Sequence, residues 1–262
     1  MTRKNDPGLR STERFSSRVE AYAKARPGYP DGAMAWACEG LGGSGVAVDV
    51  GAGTGLSTRG LEGALGAGWD VVAVEPNASM RASGASIGRA RWVDGTGEAT
   101  GLADSSADLI VAAQAFHWFD ADAAVREFRR VLRRDSGRVA LIWNTHNTIV
   151  ESMAAYKAIM MRHATEPPAS PSCSGWKSAD VSSIARSGVF GDVESRVFSN
   201  DQVLTLDGLI ARAASSSYIP SEGAGYEALC ADLRAHFDRY SEDGRVRLVY
   251  DTTVYRAEVV PE

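Results

Sequence analysis

The chain has 262 residues, 44% hydrophobic and 23% charged, with a formal net charge of -5. That length buries one substantial core, while the lack of any apolar run near 18 residues excludes a membrane-spanning chain. The acidic balance disfavours a nucleic-acid partner, which needs a basic face.

Residues 1–10 are polar and carry no apolar export signal, so a cytoplasmic location is expected. Cys38, Cys173 and Cys230 are odd in number and widely spaced, as are His146, His163 and His236. Reduced cysteines and no metal are the expectation.

In chain order, 11–25 and 31–41 read as helices separated by the breaker run Arg26-Pro27-Gly28-Tyr29-Pro30. Apolar β-branched runs then alternate with helical stretches. Strands are expected at 46–50, 71–75, 91–93, 109–113 and 138–143, with helices at 56–65, 78–87 and 121–134. The last of these helices carries Arg126, Arg129, Arg130, Arg133 and Arg134, most simply a solvated face. A helix at 151–163 and a proline-marked loop follow. A strand at 193–198, helices at 206–216 and 226–240, and an alternating strand at 246–254 complete the chain. The βα alternation predicts an α/β fold: a Rossmann-like doubly wound sheet with helices on both faces, mostly parallel with an antiparallel C-terminal strand. One integrated domain is expected, with an N-terminal helical lid (1–41), a cofactor-binding core (42–145) and a C-terminal part (146–262) that completes the sheet and shapes an acceptor pocket.

The segment Val46-Ala47-Val48-Asp49-Val50-Gly51-Ala52-Gly53-Thr54-Gly55 reads as a buried strand entering a glycine turn and then a helix. Glycines let the backbone approach a ligand, and the helix start offers unpaired N–H groups. Glu75 lies 20 residues beyond Gly55, at the end of the second strand, where an acid can hold ribose hydroxyls. Leu56 stands where dinucleotide folds place the third glycine, which argues against an NAD-dependent oxidoreductase.

This G-x-G-x-G loop preceded by Asp49 resembles motif I of class I S-adenosylmethionine-dependent methyltransferases. Phe15-Ser16-Ser17, Tyr22 and Arg26–Pro30 are similar to the N-terminal segment of the methyltransferase type 11 group, including trans-aconitate methyltransferase-like proteins. Gln114-Ala115-Phe116-His117-Trp118-Phe119-Asp120 is similar to that group's signature after the fourth strand. The resemblance implies S-adenosylmethionine as cofactor, S-adenosylhomocysteine as product and a small-molecule acceptor. It places Gly51, Ala52, Gly53, Thr54, Gly55 and Gln114 against the methionine and ribose. Asp49 would sit near the ammonium, directly or through a neighbouring group, and Glu75 on the ribose. Pro76, Asn77 and Met80 would flank the adenine, with Met80 equally suited to helix packing. Thr96, Gly97 and Glu98 would edge the adenine, although Gly97 departs from the group's usual alanine. Arg26 and Tyr22 would meet the cofactor or tie the N-terminal segment to the core.

At the reacting end, His117 is the candidate catalytic residue, either removing a proton or only holding the loop by hydrogen bonds. Phe116, Trp118, Tyr29 and Tyr218 are candidate pocket residues, and aromatic faces suit a sulfonium. Without the Asn/Asp-Pro-Pro-Tyr/Phe motif that holds a flipped base, a nucleic-acid methylase is disfavoured. An S-adenosylmethionine-binding regulator, or a catalyst of a different reaction on this fold, is the alternative. A monomer or homodimer is expected, and the acceptor is not readable from the sequence.

Overall fold

Seven strands form one sheet in the computed structural model, which describes residues 25–165, 179–216 and 218–261. Helix α1 (Asp31–Cys38) precedes β1 (Gly45–Val50), α2 (Leu56–Leu65), β2 (Trp69–Val74), α3 (Ala78–Ala85) and β3 (Arg91–Val93). Next come β4 (Leu109–Ala113), a 3-10 turn at Phe116–Trp118, α4 (Ala121–Val131) and β5 (Arg138–His146). The remaining elements are α5 (Glu151–Arg162), α6 (Ala179–Arg186), β6 (Glu194–Leu204), α7 (Leu206–Ala214), α8 (Gly223–Tyr240) and β7 (Val246–Glu258).

Strand order is β3-β2-β1-β4-β5-β7-β6. The first five are mutually parallel, and β7 runs antiparallel to both of its neighbours. The expected Rossmann-like α/β sheet with an antiparallel C-terminal strand is therefore present. Both parities of the central strands are apolar because both faces are covered. On one face Val48, Val50, Ile110 and Leu141 pack with Phe128 and Val131 of α4 and Ile184 of α6. On the other, Ala47, Leu109, Val111 and Ile142 meet Met34 and Trp36 of α1 and Leu61 of α2.

This second layer changes the reading of residues 31–41. α1 is part of the sheet's covering layer, not a lid, and it ends at Cys38. Arg138, buried on β5, holds its C-terminus by donating to the carbonyls of Ala37 (3.1 Å) and Glu39 (2.7 Å) while pairing with Glu258 at 2.6 Å. Of the preceding expected helix, 11–25, all but Ala25 lies outside the described residues, as does Tyr22.

The C-terminal half departs most from the sequence-based expectation. β6 spans eleven residues, and its mostly exposed side chains mask the alternation beyond residue 198. β7 reaches Glu258, and α6 follows the proline-marked segment with no signal that separated it from a loop. Residues 246–249 of β7 pair with 201–204 of β6 beyond the point where Tyr250 meets His146 at the end of β5. This overhang carries a small core of its own, in which Met153, Tyr156, Leu209, Leu229 and Leu233 pack on Val246, Leu248 and Tyr250. It stands at the carboxyl edge of the parallel strands, where open α/β sheets bind ligands at the reversal of strand order, here between β1 and β4.

Two of the clustered arginines are absorbed in ion pairs. Arg130 binds Glu127 and Asp104, and Arg133 binds Asp108. Among the described residues no helix is long and apolar enough to cross a membrane.

Candidate functional site

The β1–α2 loop is built by three glycines with positive φ, Gly51 (72°), Gly53 (57°) and Gly55 (80°), a conformation other residues adopt only at a cost. The N–H groups of Gly51 and Ala52 donate to the carbonyl of Val74 at 2.9 and 3.1 Å, tying the loop to β2. The three glycines do different work. A Cβ on Gly51 would lie 2.5 Å from that of Ala115, whereas one on Gly53 would meet nothing within 4 Å. Gly55 is the N-cap of α2 and admits the Trp92 ring, 3.1 Å from where its Cβ would lie.

Glu75, at the end of β2, reaches back to this loop. One carboxylate oxygen accepts from Gly53 N–H (2.9 Å) and the other from Asn77 N–H (2.8 Å), which leaves lone pairs on both. Burial raises its pKa, opposed by those two N–H groups and by Arg81. Asn77 caps α3 through Met80 N–H, so Met80 is buried beneath the turn while Pro76 is exposed.

Asp49 sits under the loop and not on its surface. One of its oxygens accepts from Ser57 (2.7 Å) and Thr58 (2.6 Å) in the first turn of α2, and the other has no hydrogen-bond partner among the described residues. Burial pushes its pKa up to about 6 against those hydroxyls. Asp49 itself does not line the cleft, whereas Ser57, which donates to it, does.

That cleft is lined on one side by Gly51, Ala52, Gly53, Thr54, Leu56 and Ser57. Ala113 and Gln114 form its floor. Gln114 is a non-glycine residue at φ 53°, a strained backbone of the kind that clusters at functional sites. Its amide nitrogen donates to Asn144 O at 3.0 Å, and its buried Oε1, like Thr54 Oγ1, has no hydrogen-bond partner among the described residues.

The far wall comprises Arg26, Pro27, Tyr29, Asn144, Arg212 and Tyr250. The Arg26–Pro30 turn is fastened to the sheet. Gly28 O accepts from Asn144 (3.0 Å) and Asn200 (2.9 Å), Ala25 O accepts from Gln202 (2.9 Å), and Arg26 donates to Ser215 O at 3.2 Å. Sequence reading missed Asn144, Arg212 and Tyr250. The available signal was Arg212 falling three residues after Leu209 and beside Ala213, a charge on the buried face of α7.

The signature after β4 divides. Phe116 is fully buried against Phe119 and Phe128 and supports the turn from below. Trp118 is 40% exposed, and neither it nor His117 lines the cleft. His117 Nδ1 accepts from the Trp143 indole at 3.4 Å, and burial with the charge of Arg26 pushes its pKa down to about 3. It is neutral at physiological pH and is held as an acceptor. Tyr218 is buried in the C-terminal core. Gly97 is where the Phe119 ring lies against the chain, 2.5 Å from a would-be Cβ, which explains why alanine does not stand there. Glu98 accepts from Asp120 N–H at 2.8 Å, bracing the start of α4, and Thr96 is exposed, its N–H bonded to Ala99 O.

Residues 48–140 match the methyltransferase domain family. An uncharacterized methyltransferase of Mycobacterium tuberculosis is 41% identical over 135 residues, 51% of this chain and 53% of that one. The chain thus spans about half the length of this relative. Two solved structures share the fold. A provisionally assigned type II methyltransferase from Anaeromyxobacter dehalogenans aligns with TM-score 0.65 and 23% identity, covering 90% of this chain and 99% of that one. Phosphoethanolamine N-methyltransferase 2 of Haemonchus contortus, in complex with S-adenosyl-L-methionine, aligns with TM-score 0.57 and 16% identity, covering 100% of this chain and 62% of that one. The glycine loop and the β2 acid fall within the matched segment, residues 48–140, and this part of the chain is similar to the methyltransferase domain family.

Proposed function

We propose that the protein transfers a methyl group from S-adenosylmethionine to a small-molecule acceptor. The observation that carries this reading is the coupling of the loop to the ribose acid: Gly53 faces open space on one side while its N–H binds Glu75 on the other. The residues fit the cofactor. Glu75 retains lone pairs for two ribose hydroxyls, Gln114 and Thr54 hold buried oxygens without partners, and the glycine backbone admits a ligand at contact distance.

When bound, the cofactor supplies an electrophilic methyl on a sulfonium. The protein's part is alignment and exclusion of water. Gly51–Thr54 and Glu75 would hold the nucleoside and amino-acid ends, and Arg26 lines the same cleft, where a guanidinium would suit the carboxylate. Neutral His117 positions the 3-10 turn through Trp143. It takes no proton in this scheme, because its Nδ1 is occupied and its basicity is low.

Calorimetric titration with S-adenosylhomocysteine, followed by detection of that product in incubations with candidate metabolites, tests the reading. Binding in the micromolar range and acceptor-dependent product are expected. A folded protein that does not bind S-adenosylhomocysteine overturns it.

A further inference from the structure

Arg212 is a buried arginine on the wall of the cleft, 6% exposed, and among the described residues no aspartate or glutamate pairs with it. Its Nε donates to the Tyr250 hydroxyl at 3.2 Å, and its Nη1 reaches the Ser215 and Ser216 hydroxyls only at 3.4 Å. Its Nη2 makes no hydrogen bond with a described residue. A guanidinium has five N–H donors in a fork that matches carboxylate and phosphate oxygens, and a buried charge is normally paired.

A second, independent observation lies beside it. Among the described residues, the Tyr156 hydroxyl and both ring nitrogens of His146 are buried without hydrogen-bond partners, in a place where the cost of leaving them so is high. His146 packs on Tyr250 and Tyr156, with ring centroids 5.3 and 5.7 Å apart. The charges of Arg212 and Arg26 both reach the His146 ring and the Tyr156 phenol, so this end of the cleft is electropositive. The whole chain is acidic, which makes the concentration of positive charge here a local feature.

We propose that Arg212 receives an anionic group of the methyl acceptor, a carboxylate or a phosphate, and so sets the acceptor's chemical class. Tyr250 holds the guanidinium by its Nε and the two serines hold Nη1 loosely, leaving Nη2 foremost for the ligand. The acceptor is thereby anchored at its anionic end, with a different nucleophilic atom presented toward the loop at Gly51–Thr54. This inference rests on the methyltransferase reading above.

The test uses the full chain saturated with S-adenosylhomocysteine and titrated calorimetrically with citrate, inorganic phosphate and, as an uncharged control, triethyl citrate. Citrate or phosphate binding more tightly than the control is expected, and which of the two binds distinguishes a carboxylate from a phosphate site. Arg212→Gln should weaken that anion at least ~10-fold while S-adenosylhomocysteine affinity stays within about 2-fold, and Arg212→Lys should restore part of the loss. If Arg212→Gln does not fold, the wild-type contrast between anion and control, together with Arg212→Lys, still decides. Equal binding of anion and control overturns the inference. So does an Arg212 variant that keeps its anion affinity, or one that instead loses S-adenosylhomocysteine, since the guanidinium then serves the cofactor. Failure of the wild type to bind S-adenosylhomocysteine at all strikes the methyltransferase reading itself.

Discussion

Gly51 and Gly53 sit two residues apart with similar backbone torsions, yet replacing each by alanine should produce opposite phenotypes. Both alanines would be forced to positive φ, which costs about 1–2 kcal/mol. At Gly51 the new methyl would also stand 2.5 Å from Ala115 Cβ and 3.2 Å from the Phe119 ring. Overpacking of that kind adds about 1–3 kcal/mol, for a total of about 2–5 kcal/mol. At Gly53 the methyl meets no protein atom within 4 Å, so only the torsional cost applies, but it projects into space assigned to the cofactor. Thermal unfolding should therefore show Gly51→Ala well below Gly53→Ala, at about 2–4 °C per kcal/mol for a chain of this size. Calorimetry with S-adenosylhomocysteine should show Gly53→Ala losing affinity at least ~10-fold although it is the more stable variant. Equal destabilisation of the two, or wild-type affinity in Gly53→Ala, would refute this division of labour within the loop.

Three further outcomes are expected. Glu75→Ala removes the acceptor for Gly53 and, on the proposed reading, for the ribose, so cofactor affinity measured by calorimetry should fall by about 1–3 kcal/mol; unchanged affinity in a folded protein would remove the ribose role. Asp49 has a folded pKa of about 6, above its usual 3.8, so it favours the folded state fully below pH 3.8 and this contribution is lost as pH rises to about 6. Asp49→Asn, whose amide oxygen can still accept from Ser57 and Thr58, should gain on the wild type by up to about 3 kcal/mol across that interval in urea unfolding. A difference independent of pH would mean that Asp49 is charged throughout. The His117 imidazole should remain neutral from pH 5 to 8 by nitrogen NMR, because its pKa is held near 3; a titration centred near 6.5 would reopen its role as a base.

The half of the cleft contributed by residues 46–77 was legible because its causes are local. Gly51, Gly53 and Gly55 need torsions that glycine supplies, and Glu75 follows its strand directly, so spacing alone brought loop and acid together. The other half depends on partners distant in sequence. Tyr250 arrives beside His146 only through the β5–β7 register, and Arg26 meets Ser215 across 189 positions. His117 shows the limit most clearly. Its position after β4 suggested proton transfer, but what decides its chemistry is an indole on the neighbouring strand, at Trp143. Gly97 looked like a departure of unknown meaning until the Phe119 ring was seen against it.

The overhanging β6–β7 ends and the helices packed on them have a consequence for how this architecture can be altered. The glycine loop, Glu75 and Gln114 lie between residues 51 and 114, whereas the opposite wall is drawn from the Arg26–Pro30 turn and from Asn144, Arg212 and Tyr250. The cleft is in this sense modular. An exchange of the stretch from α7 through the start of β7 would replace Arg212 and Tyr250 together, along with the part of the small core that α7, α8 and β7 contribute, and leave the glycine loop and Glu75 untouched. On the proposed reading, a chimera made at those boundaries would change the acceptor while leaving the donor the same.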